Sequence, residues 1–125
     1  MHLPITLYGI PNCDTVKKAR TWLTEHHLDY AFHDFKKQGL DAATIQHWLT
    51  QLPLAQLINR KGTTWRALTD EQKAAAEQQE SAIALMVEKP SVIKRPVIVY
   101  GSQPGAEKMS LGFSPTQFET LFLNK

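Results

Sequence analysis

The chain has 125 residues, 42% hydrophobic and 21% charged, a balance that suits one folded domain with its own core and needs neither disulfides nor metals. A net charge of +2 with scattered Lys and Arg argues against a nucleic-acid surface. The single Cys excludes an intramolecular disulfide and suits a reducing compartment, so a cytoplasmic setting is expected.

Met1-His2-Leu3-Pro4 lacks the charged start of a signal peptide, and no apolar run approaches the roughly 18 to 20 residues of a membrane span. Ile5-Thr6-Leu7-Tyr8 then reads as a short buried strand, broken by Gly9-Ile10-Pro11-Asn12. Val16, Ala19 and Leu23 recur at helical spacing, so a helix is expected from about Thr15 to His26, with Thr15 or Asp14 as its cap. Lys17, Lys18 and Arg20 make its exposed side basic. Tyr30 to Phe35 alternates like a strand. Strand, helix and strand within about 35 residues form a βαβ unit, whose strands are normally parallel.

Residues 36 to about 93 read as an all-helical insertion. Lys36 to Gly39 is a turn. Asp41 caps a helix through about Gln51, with Ile45, Trp48, Leu49 and Leu52 as its apolar stripe, and Pro53 closes it. Leu54 to Asn59 is a short helical turn and Arg60 to Thr64 a polar loop; Trp65 and Leu68 flank another turn. Thr69 opens a third helix and Ser81 caps a fourth, which ends before Pro90. A strand follows at Pro96 to Gly101, then a Gly/Pro loop at Ser102 to Ala106 and a short antiparallel strand at Lys108 to Leu111. Ser114-Pro115 starts a last helix with Phe118, Leu121 and Phe122 inward. The order β-α-β, helical insertion, β-β-α is a thioredoxin-like α/β plan around a mixed four-stranded sheet, here a single domain over 1–125.

Cys13 stands directly before the first helix. A thiol there meets free backbone N–H groups and the positive end of the helix dipole, which both favour thiolate. A lone Cys is more often a small buried hydrophobe, but Pro11-Asn12 and Asp14-Thr15 make this an exposed polar turn. Lys94-Arg95-Pro96 places a basic pair and a proline before a strand, a common way to begin one. Arg60 alone reads as a solvated arginine. Two guanidiniums near a thiolate, however, would stabilise it and bind an oxyanion or carboxylate by bidentate bonds. The five His show no metal-ligand spacing, the six Gly form no phosphate loop, and the Trp residues suit apolar helix faces.

Tyr8 to Thr15, Asn59-Arg60, Lys94 to Val97 and Leu111-Gly112-Phe113 occur in the order that resembles the arsenate reductase (ArsC)/Spx family nearly end to end. The resemblance implies a thioredoxin-like fold, a catalytic Cys13, support of thiolate or anion by Arg60 and Arg95, and a cis Pro96. It places Asn12, Asp14, Thr15, Pro96 and Lys108 beside the substrate. Family arsenate reductases carry a third arginine in the late hairpin, where only Lys108 is cationic here, which favours a disulfide over arsenate. Spx regulators use a Cys-x-x-Cys switch and bind RNA polymerase; the second position here is Val16. With one thiol, reduction must pass through a mixed disulfide resolved by glutathione or another small thiol. The expectation is a monomeric monothiol oxidoreductase with glutathione as co-substrate, no metal and no further cofactor. The rival is an Spx-like adaptor that binds a protein and does no chemistry.

Overall fold

β1 (Ile5–Gly9) alternates buried and half-buried residues and runs inside a four-stranded sheet of order β2-β1-β3-β4. The computed structural model describes residues 4–101 and 105–123. β2 (Ala31–Asp34) is parallel to β1, with Leu7 opposite Phe32 and Gly9 opposite Asp34. β3 (Val97–Tyr100) is antiparallel on the other side of β1, with Tyr8 opposite Val97 and Ile5 opposite Tyr100. β4 (Lys108–Leu111) continues antiparallel to β3. The mixed α/β sheet expected from the sequence is therefore present. Of the Gly/Pro loop between β3 and β4, residues 102–104 lie outside the described residues.

One face of this sheet makes the first core. Ile5, Leu7 and Ile98 share it, as the period of two requires, and meet Val16, Ala19, Trp22 and Leu23 of α1 (Asp14–Glu25) together with Phe118. Each fully buried Leu, Val, Ile or Phe among them is worth roughly 1.5–3 kcal/mol over leaving it in water. Gly9 belongs to β1 rather than breaking it, because α1 packs so close that a Cβ there would stand 2.8 Å from Val16 Cγ2. Arg20 departs from the basic solvent face expected of it. Its Nε donates to the Tyr30 hydroxyl at 3.0 Å and its guanidinium lies 4.1 Å from the Phe32 ring centroid.

The chain's last turn follows its sequence signals. The Ser114 hydroxyl accepts from Gln117 N–H, and Pro115 takes the first position of α8 (Pro115–Phe118), where a missing N–H costs nothing. The winding then widens to a π-helix over Glu119–Leu123. Phe118 is fully buried and meets Trp22, Phe113 and Phe122 edge to face.

Backbone contacts divide the chain into this sheet unit, Met1–Asp34 with Arg95–Lys125, and a helical unit, Phe35–Lys94. The helical unit holds α2 (Phe35–Gln38), α3 (Ala42–Trp48), α4 (Leu54–Leu57), α5 (Thr63–Arg66), α6 (Asp70–Ala75), α7 (Gln79–Glu88) and a 3₁₀ turn at Pro90–Val92. Asp41 caps α3 through Thr44 N–H, and Thr69 with Gln72 forms a capping box on α6. Phe35 leaves β2 to begin α2 and packs on Trp48. Pro53 is the N-cap of α4 rather than only the end of α3, since its fixed φ suits an entry. The expected loop at Arg60 to Thr64 gives way to α5, and Ser81 lies inside α7, capped at Gln78, with its hydroxyl donating to Ala75 O at 2.6 Å. A lone antiparallel bridge pairs Ile58 with Ile93. Among the described residues no helix is long and apolar enough to cross a membrane.

Candidate active site

β1 delivers the chain to the thiol. Four residues past Gly9, Cys13 is the N-cap of α1, with extended backbone (φ −139, ψ 124) and its carbonyl accepting Lys17 N–H at 2.9 Å. The helix therefore starts one residue earlier than expected, and Asp14 and Thr15 sit inside its first turn instead of capping it. The Cys13 side chain makes no capping hydrogen bond, is half-buried, and packs against the sheet-unit core. Asn12, Asp14 and Thr15 are all exposed around it. The Asp14 carboxylate lies where the dipole favours a negative charge.

The same sheet end receives β3. The Arg95–Pro96 bond is cis, as the family resemblance implies, and Pro96 is buried while Arg95 is half-buried. Extending the register by one step from the Tyr8–Val97 pair sets Pro96 opposite Gly9. Gly112 N–H donates to Pro96 O at 2.8 Å, so β4 ends there too. Gly112 has φ 80, a left-handed turn that only glycine takes without strain, and it sends Phe113 back toward the core. Cys13, Arg95, Pro96 and Phe113 thus gather at one end of the sheet.

Lys108 does not join them. It pairs with Tyr100, three residues past Val97 on β3 and so ~10 Å along the strand from the Pro96 end, and its side chain is exposed. Arg60 belongs to the helical unit. There its guanidinium stacks 4.9 Å from the Trp65 ring centroid and pairs with Glu77 at 3.5 Å, both groups remaining well exposed. Asn59 fixes the turn beside it, accepting Lys61 N–H through Oδ1.

The sequence reading missed a groove on this unit. Lys17, Lys18, Thr21, Trp22 and Glu25 of α1 line one wall and Phe113 and Pro115 the other, around about 490 Å³. Trp22 is core, as expected, with only its edge reaching the groove, and Phe113 was expected only as part of a motif. The available signal was the i, i+4, i+8 line from Cys13 through Lys17 to Thr21.

A mixed four-stranded sheet, a thiol at the start of the first helix and a cis proline opening the neighbouring strand define a thioredoxin-like α/β protein. The sequence matches the ArsC family over residues 8–121, and the chain belongs to that family. It is similar to the solved YFFB protein, at 42% identity and a TM-score of 0.82 over 93% of this chain and 96% of that one. An arsenate reductase (ArsC) related protein from Brucella melitensis is 47% identical, with a TM-score of 0.71 over 98% of this chain and 95% of that one. The global transcriptional regulator Spx of Streptococcus pneumoniae is 25% identical over 112 residues, 88% of this chain and 79% of that protein.

Proposed function

We propose that this chain is a monothiol thiol/disulfide oxidoreductase that uses glutathione, with Cys13 as nucleophile. The observation that carries the reading is the half-buried Cys13 at the N-cap of α1, its side chain engaged in no cap bond, on the sheet end that also receives cis Pro96. The Cys13 sulfur attacks one sulfur of a disulfide and the other sulfur leaves as a thiolate. Glutathione then attacks the mixed disulfide and frees Cys13. No second Cys exists to do that step within the chain. Arg95 and, by family resemblance, Arg60 serve the anionic groups of the bound disulfide, while Asn12, Asp14, Thr15 and Pro96 contact its backbone or carboxylates. A disulfide is favoured over arsenate because the late hairpin supplies Lys108 in place of an arginine, at the far end of β4.

Incubation with oxidised glutathione followed by intact mass measurement tests this. One glutathionyl group on the wild type, none on Cys13→Ser, and its removal by added glutathione are expected. Absence of that adduct on the wild type sinks the reading. The Spx relative favours a second reading, an adaptor that binds RNA polymerase or another protein without chemistry. A pull-down with wild type and Cys13→Ser separates the two: one stoichiometric partner recovered equally by both, with no reductase activity, supports the adaptor.

A further inference from the structure

The groove along α1, the helix that Cys13 caps, has three properties. Aromatic residues line it: Phe113, half-buried and packed on the core as Cys13 is, and the edge of the otherwise buried Trp22. Its direction is that of α1: Lys17 lies one turn beyond Cys13 and Thr21 two turns beyond, ~6 Å per step. Its charge is graded, with Lys17 and Lys18 at the thiol end and Glu25 at the far end. Neither lysine makes an ion pair among the described residues, so both cations are available. The groove encloses about 490 Å³ and lies open to solvent along its length.

Glutathione complements this groove poorly. It carries carboxylates for the lysines but no apolar side chain for the Phe113 ring and the Trp22 edge. A polypeptide offers both. We propose that the groove binds the chain of an oxidised protein substrate, an extended segment with an aromatic or large apolar residue beside its cysteine and acidic residues next to that. The inference rests on the thiol chemistry proposed above and names its substrate class: glutathionylated proteins. The peptide sulfur is the leaving group. Cys13 thiolate attacks the glutathionyl sulfur, the bond between that sulfur and the peptide sulfur breaks, and the peptide leaves as thiolate, reduced. Cys13 is oxidised to its glutathione mixed disulfide. A second glutathione then reduces it, giving oxidised glutathione and the free thiol. Holding the peptide along α1 keeps its sulfur in line for departure, which is a positional gain.

Three hexapeptide–glutathione mixed disulfides are the probes: one with a phenylalanine and two glutamates beside its cysteine, one with the glutamates replaced by lysines, and one with the phenylalanine replaced by alanine. The acidic aromatic peptide is expected to exceed each of the others about tenfold in kcat/KM, with the charge preference shrinking in high salt. In Lys17→Glu/Lys18→Glu the order of the acidic and basic peptides inverts, which a loss of folding cannot mimic. Equal kcat/KM on all three peptides overturns the groove reading. So does sedimentation of the wild type as a dimer that Lys17→Glu/Lys18→Glu dissociates, since a second copy then covers the groove. Failure to accept a glutathionyl group from oxidised glutathione removes the parent chemistry instead, so the two failures are distinct.

Discussion

At Cys13 the decisive fact is how little holds the sulfur. The residue supplies its backbone carbonyl to α1 while its side chain stays out of the cap, half-buried against the sheet-unit core. That leaves it to react rather than to build. Its position depends on Gly9, where the sheet and helix approach too closely for a side chain. In Gly9→Ala the new Cβ meets Val16 Cγ2, which is fully buried on a β-branched side chain that cannot swing away. We expect a loss of about 1–3 kcal/mol in urea unfolding, and a Gly9→Ala/Val16→Ala double variant that loses less than the sum of the singles. Tyr100 gives a pH signature. Burial against the core disfavours its phenolate and raises the hydroxyl above its ordinary 10.0. The unfolded chain gives up that proton first, so below pH 10.0 the group leaves stability unchanged. Above it the native state holds more protons and stability falls as pH rises. Unfolding of Tyr100→Phe followed across that window is expected to lack this component of the decline; an identical decline contradicts the assignment.

At the scale of elements, short segments are ordered by what they bury. α8 has four residues, too few to be stable alone. It is fixed by the Ser114 cap, by Gln117 Nε2 donating to Ser110 Oγ at 2.6 Å, and by Phe118 among three aromatic rings. Phe118→Ala is expected to cost about 3–5 kcal/mol, read as a lower urea midpoint, and to blunt the near-ultraviolet signal of Trp22. Much of this element was legible in the sequence, because Ser-Pro before an apolar stripe is a local start signal. The caps at Asp41 and Thr69 were legible for the same reason. Ser81 was not: a serine ahead of an apolar run looks like a cap, but α7 begins three residues earlier, capped at Gln78, and the Ser81 hydroxyl turns to Ala75 O.

The whole molecule pairs a sheet unit of local and long-range strands with a unit of short helices. The longest helix of the latter, α7, has ten residues, and α4 and α5 have four each. Native-state hydrogen exchange is expected to show highest protection at β1 and β3 around Leu7 and Ile98, and least at α5 and α6, where no residue is buried. Uniform protection across all these elements contradicts that picture. By itself the sequence determined the order of elements, the central mixed sheet and a lone thiol at a helix start, because periodicity, caps and turn residues act within a few positions of one another. The tertiary structure alone decided which side chains meet. Strand register sends Lys108 to the end of β4 away from Pro96. Arg20 turns from solvent onto Phe32 and Tyr30, Arg60 takes Trp65 and Glu77 as partners, and Trp22 and Phe113 open into one groove. These placements depend on strand register and on how elements meet, which periodicity, caps and turn residues do not encode.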